Sequence, residues 1–131
     1  MVKVLLHASL VLSLLVISVT AEAKPTIKTC QQFAREIETV LKKGNQALIS
    51  SDGQAISDQN KRIADLVAKA NRMFVQANAC NFAANSASAL WAIKLQERTR
   101  PTPTGSGWIQ RRQKDYSDNL ELCKQGFEVP N

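Results

Sequence analysis

From Ile27 to Cys123 the apolar side chains recur at the spacing of an α-helix and never settle into the alternation of a strand. That period admits helix packed on helix and little else. Cys30, Ala34, Ile37, Leu41 and Leu48 form a first stripe, widened by Phe33 and Val40, which predicts a helix over 27–50. Thr29 with Gln32 three residues later suits a capping box, and Pro25-Thr26 could open the helix one turn earlier. Ser50-Ser51-Asp52-Gly53 reads as a turn. A second stripe begins near 55–57 and runs through Ile63, Leu66, Val67, Ala70, Met73, Phe74, Ala77 and Cys80, then stays in phase through Ala84, Ala87, Leu90, Trp91 and Leu95 to about Arg98. As one helix it would reach ~65 Å at 1.5 Å per residue, against a domain scale of ~26 Å for a chain of this size. Asn78, Asn81 and Asn85 crowd its middle, and asparagine favours caps over helix interiors, so a break or kink is expected near residues 78–85.

Thr99 to Gly107 contains Pro101, Pro103, Gly105 and Gly107 and reads as a loop over 99–107. Ser106 is placed to cap a last helix over about 107–125 that buries Ile109, Tyr116, Leu120 and Cys123. Gly126 ends it, with Phe127 set against Leu122 in a Schellman closure. The expected fold is therefore all-α, a small helical bundle of three or four antiparallel helices. On the polar faces, Glu38 precedes Lys42, Asp58 precedes Arg62 and Asp65 precedes Lys69, each by four residues, the spacing of helix-surface ion pairs.

The first 23 residues have the order of a removable export signal: Lys3, an apolar run from Val4 to Val19, and Ala21-Glu22-Ala23 as a small-x-small cleavage site. The run is interrupted by His7, Ser9 and Ser13 and falls short of the ~20 apolar residues of a membrane span. Cleavage would leave residues 24–131 as a single helical domain, exported to the periplasm or the extracellular space. Its only histidine would go with the signal, since His7 is the sole one in the chain.

Three cysteines remain, Cys30, Cys80 and Cys123, in a compartment that permits disulfides. In an up-down-up-down bundle Cys30 begins the first helix, Cys80 lies at the turn between the second and third, and Cys123 falls near the end of the fourth, so all three gather at one end. The favoured bridge is Cys80 with Cys123, the alternative Cys30 with Cys80. The odd thiol is either a buried inert cysteine or the link in a disulfide-bonded dimer. No C-x-x-C pair accompanies the three thiols, and neither a metal nor a cofactor is expected.

Catalysis finds little material. Without histidine the usual Ser-His and Cys-His arrangements are excluded, which leaves a carboxylate pair drawn from Glu36, Glu38, Asp65 and Glu97 as the only helix-borne option. No enzyme is expected. Charge is more informative. Removing Lys3 and Glu22 leaves the net charge at +6, and between Lys94 and Lys114 the cations Lys94, Arg98, Arg100, Arg111, Arg112 and Lys114 face Glu97 alone. Trp91 is in phase with the core stripe, whereas Trp108 follows the loop and is placed as an exposed anchor. Arg98, Arg100, Trp108, Arg111, Arg112 and Lys114 are thus the expected partner-binding residues. They suit a small non-enzymatic protein that binds another protein, such as an inhibitor or immunity-type protein of the cell envelope. The alternative is an envelope protein that binds an anionic surface or polymer through the 94–114 cluster, with cell-wall polymers and lipid headgroups ahead of nucleic acid; a weak carboxylate hydrolase ranks last.

Overall fold

A computed structural model describes residues 24–130. The export signal expected at residues 1–23 lies outside the described residues. Four helices follow in order, α1 (Ile27–Ser50), α2 (Gly53–Met73), α3 (Ala79–Thr99) and α4 (Gly105–Lys124), and they pack as the expected all-α bundle.

Each helix start is set locally. Thr26, not Thr29, caps α1, its hydroxyl accepting from Thr29 N–H at 3.1 Å, so the helix opens at the earlier of the two sites. Ser51 takes the left-handed conformation (φ 56°) and Asp52 caps α2, accepting from Gln54 N–H at 3.0 Å. The expected Ser106 cap is overturned. Helix α4 already begins at Gly105, Thr104 stands at the cap position without a side-chain bond, and Ser106 lies inside the first turn. At the other end of α4 the Schellman closure forms: Gly126 has φ +67°, its N–H donates to Cys123 C=O at 2.9 Å, and Phe127 N–H donates to Leu122 C=O at 3.1 Å.

The α2–α3 break occupies residues 74–78 and touches the expected window only at Asn78. Asn78 caps α3 by accepting from Cys80 N–H at 2.8 Å. Asn81 and Asn85 are instead absorbed into α3, because their amides have carbonyls to meet: Asn81 Nδ2 reaches Phe74 C=O and Val75 C=O across the break, and Asn85 Nδ2 reaches Asn81 C=O, all at 2.9 Å. The C-terminal tail is stitched to the same break, with Ala79 N–H donating to Phe127 C=O and Val129 N–H to Ala77 C=O, both at 2.8 Å.

Helix α1 packs on all three others, while α2 and α4 make no close contact with each other among the described residues. Ala79, Ala83, Ala84 and Ala87 line the buried face of α3, whose most extensive packing is against α4. The larger core lies toward the cysteine end and holds Phe33, Ile37, Leu66, Phe74, Leu90, Tyr116 and Leu120; the rings of Phe33 and Phe74 meet at 5.1 Å. A smaller core of Ala47, Ile63 and Trp91 lies toward the loop end. Gln59, fully buried, donates from Nε2 to Val40 C=O at 2.8 Å, and Trp91 donates from Nε1 to Asn60 Oδ1 at 2.7 Å. Gly44 makes room for this group, since a Cβ there would stand 2.7 Å from Gln59 Nε2 and 3.1 Å from the Trp91 ring.

Candidate functional site

The up-down-up-down path separates two ends: the cysteines at one, and at the other the loop with its flanking cations, which spans 100–104 rather than the expected 99–107 because Thr99 ends α3 and Gly105 to Gly107 belong to α4. At the cysteine end the sulfurs of Cys80 and Cys123 stand 2.11 Å apart with a Cα separation of 4.4 Å, a disulfide between the start of α3 and the end of α4. Cys30 is the free thiol. Its carbonyl lies 3.6 Å from Cys123 Sγ, and its side chain is fully buried, which gives a second chain no access to the sulfur in this conformation. Burial pushes the Cys30 thiol above its ordinary pKa, opposed by a hydrogen bond from Asn78.

At the loop end the single acid of the basic stretch is spent on the backbone. Glu97 accepts from Thr102 N–H and from Thr102 Oγ, both at 2.9 Å, so its carboxylate clamps the loop that follows α3. Gly105 leaves room for it, because a Cβ there would overlap the carboxylate in this position and displace the Glu97 side chain. Arg98 reaches in the opposite direction and donates to the Ser51 hydroxyl in the α1–α2 turn. Glu97 thereby ties the loop to α3, and Arg98, still within α3, links that helix to the α1–α2 turn. Lys94, at the same end, donates to Asn45 Oδ1 at 3.0 Å, and partial desolvation lowers its pKa.

Trp108 stands in the first turn of α4, 46% exposed, and the Arg111 guanidinium lies over its ring at 4.1 Å from the centroid. This spacing of three residues places both on one helix face. Arg112 is turned toward α3, where it lines a depression with Ala89, Ala92, Ile93 and Gln96, and it lies 4.0 Å from Asp115. Lys114 is about a third of a turn from Trp108 around the helix and is paired with Asp118, which raises its pKa. The six residues singled out in the sequence therefore separate. Trp108 and Arg111 form one exposed unit, Arg98 and Arg100 stand at the rim of the loop, and Arg112 and Lys114 each have an acidic neighbour on their own helix. Among the described residues, Arg98, Arg100 and Arg111 have no carboxylate partner.

The sequence reading missed the clamp and the Arg98 tether. Glu97 and Thr102 are separated by a proline, and nothing local says that one folds back on the other; Ser51 lies 47 residues from Arg98. Of the other carboxylates considered for catalysis, Glu36 is bonded to Lys69 at 2.6 Å and Glu38 to Lys124 at 3.1 Å. Glu36 and Asp65 do line one depression of about 260 Å³ with Val40 and Leu66, but Arg62, Lys69 and Arg72 line it too, and such cations favour the ionised carboxylate over the protonated form a general acid needs. Comparison with protein-family models, with curated proteins and with solved structures finds no match for the chain.

Proposed function

We propose that this is a small exported, non-enzymatic protein that binds another protein through the loop end of the bundle, with Trp108 and Arg111 as the anchor. The observation that carries the reading is the exposed indole under a guanidinium, set beside a loop clamped by Glu97. Tryptophan and arginine are the residue types that dominate binding hot spots, and a contact surface loses less entropy on association when its backbone is already fixed. The Glu97 clamp supplies that fixation for the loop, and Arg98 braces the end of α3 against the α1–α2 turn. The complementary partner surface has a pocket for the indole with acidic groups at its rim, which suits an inhibitor or immunity-type protein capping an enzyme of the cell envelope.

The test is capture of one stoichiometric partner by the immobilised protein, compared with the Trp108→Ala variant. Loss of a central anchor costs at least about 2 kcal/mol, or roughly thirtyfold in affinity. A partner retained undiminished by Trp108→Ala would refute the anchor. A second reading rests on Arg98, Arg100 and Arg111, whose charges are uncompensated: binding of an anionic polymer or surface. Its mark is retention on heparin or anionic vesicles that collapses with rising salt and weakens in the Arg111→Ala, Arg112→Ala double variant.

A further inference from the structure

At the end of the bundle opposite the loop, three stretches of chain meet: the start of α1, the break after α2 and the C-terminal tail. Each carries exposed apolar side chains. Ile27, Val75, Phe127 and Val129 are all between 42% and 58% exposed. Asn78 and Glu128 form an isolated antiparallel bridge, so residues 127–129 run extended across this end. Successive side chains of an extended chain point to opposite faces. Glu128 turns toward Lys24, 3.7 Å away, and Phe127 and Val129 therefore share the other face of the tail, where both are exposed. Ile27 lies against the turn that opens the tail, its Cγ1 3.5 Å from where a Gly126 Cβ would stand.

Cations edge this apolar set. Lys24 precedes α1, Lys28 lies in its first turn, and Arg72 stands in the last turn of α2. Lys24, Arg72 and Val75 border one depression of about 200 Å³, in which Glu128 is the single acid. Lys28 and Arg72 have no carboxylate partner among the described residues. Exposed apolar side chains edged by uncompensated cations complement the boundary between acyl chains and anionic headgroups. The course of the chain points to the same occupant. As an export signal, the apolar run from Val4 to Val19 sits in the bilayer until cleavage, and it joins the bundle at this end, through Lys24. The five residues from Val19 to Lys24 reach at most ~18 Å. The 24 residues of α1, ~36 Å long at 1.5 Å per residue, separate this end from the loop end. It is thus the cysteine end that is held at the membrane surface while the domain folds.

We propose that this end of the mature bundle docks on an anionic lipid bilayer, with Phe127 and Val129 inserted at headgroup level, Ile27 and Val75 beside them, and Lys24, Lys28 and Arg72 against the phosphates. The contact is peripheral, since no described helix is long and apolar enough to cross a membrane. It turns the Trp108 end away from the lipid, so it stands apart from partner capture through that end and is compatible with it. A second copy of the chain is the less suited occupant, because a two-fold interface built on this patch would bring its cations face to face.

The experiment is co-sedimentation of residues 24–131, which hold all four helices, with vesicles of phosphatidylglycerol and phosphatidylcholine, joined to quenching of tryptophan fluorescence by brominated lipid. The expected result is saturable binding at millimolar lipid that weakens with rising salt. Tryptophan emission stays unquenched, because ~24 Å of α4 separates Trp108 from Lys124 at the docked end. Phe127→Ser with Val129→Ser keeps the backbone N–H groups that stitch the tail and weakens binding about tenfold. Arg111→Ala with Arg112→Ala leaves it unchanged. Thermal unfolding beside the parent verifies that both double variants are folded. Absence of binding at low salt up to several millimolar lipid overturns the proposal. So does undiminished binding by the serine variant, or strong quenching of Trp108, which would put the loop end on the lipid instead.

Discussion

Replacing both Cys80 and Cys123 by alanine opens a loop closed across a sequence separation of 43 residues. The entropy returned to the unfolded chain by that opening is worth about 4 kcal/mol at 25 °C in the chain-entropy treatment, at the upper end of the 2–4 kcal/mol range typical of disulfides. Both side chains are fully buried, so the alanines also leave a void where the sulfurs packed, which adds to the loss. With an unfolding entropy of about 2.1 cal/mol/K per residue over the described domain, 4 kcal/mol lowers Tm by roughly 18 °C. The assay is thermal and urea unfolding of the double variant beside the oxidised parent, with a reductant present for the variant so that Cys30 stays a thiol. The urea m value should rise as well, because an unfolded chain without the cross-link exposes more surface. A Tm decrease below about 4 °C with m unchanged would refute the reasoning, since it would mean that the unfolded chain is already as confined without the bridge as with it.

Other parts of the molecule give equally direct expectations. Tyr116 is the only tyrosine, and burial, aided by the nearby Glu38 charge, pushes its hydroxyl up to about 12 from 10.0, so the folded state holds its proton where the unfolded state releases it. Stability from this group is whole below pH 10 and lost between pH 10 and 12, by about 2–3 kcal/mol; a phenolate absorbance midpoint near 10 in the folded protein would contradict this, and Tyr116→Phe should abolish that part of the alkaline loss. Gly44→Ala should destabilise by about 1–3 kcal/mol in urea unfolding, because overlap with the immobile Gln59 amide and the Trp91 ring outweighs the gain of about 1 kcal/mol in helix propensity; a net gain in stability would show that Gln59 can yield. Glu97→Ala should release the loop, read as hydrogen exchange at Thr102 N–H faster by about tenfold, and unchanged protection would remove the clamp from the binding argument.

What the sequence made legible was decided near in the chain. The stripe through Cys30, Phe33, Ala34 and Ile37 is buried as its spacing predicts, Trp91 is in the core, Trp108 is exposed, and Gly126 closes α4 with the expected hydrogen bonds. Partner choice was not legible. Glu38 pairs with Lys124 rather than Lys42, and Lys69 with Glu36 rather than Asp65. Asp58 accepts from Gln54 instead of meeting Arg62. An i, i+4 pair on a solvated helix is worth a few tenths of a kcal/mol, little enough for a carboxylate brought near by another helix to displace it. The break was misplaced by a few residues for a similar reason: three asparagines mark a region of weak helix propensity, but only Asn78 has the position to cap, and the NH2 groups of the other two find carbonyls within α3 and across the break.

The helical class, the end of α4 and the burial of its stripes follow from the sequence alone, because each depends on residues within a turn or two of one another. Tertiary structure decided which two of three nearby sulfurs bond, where the long second stripe breaks, that Glu97 clamps the loop after its helix and that Arg98 bonds to the α1–α2 turn. Those outcomes turn on distances between groups far apart in the chain, and such distances exist only after the four helices have packed against one another.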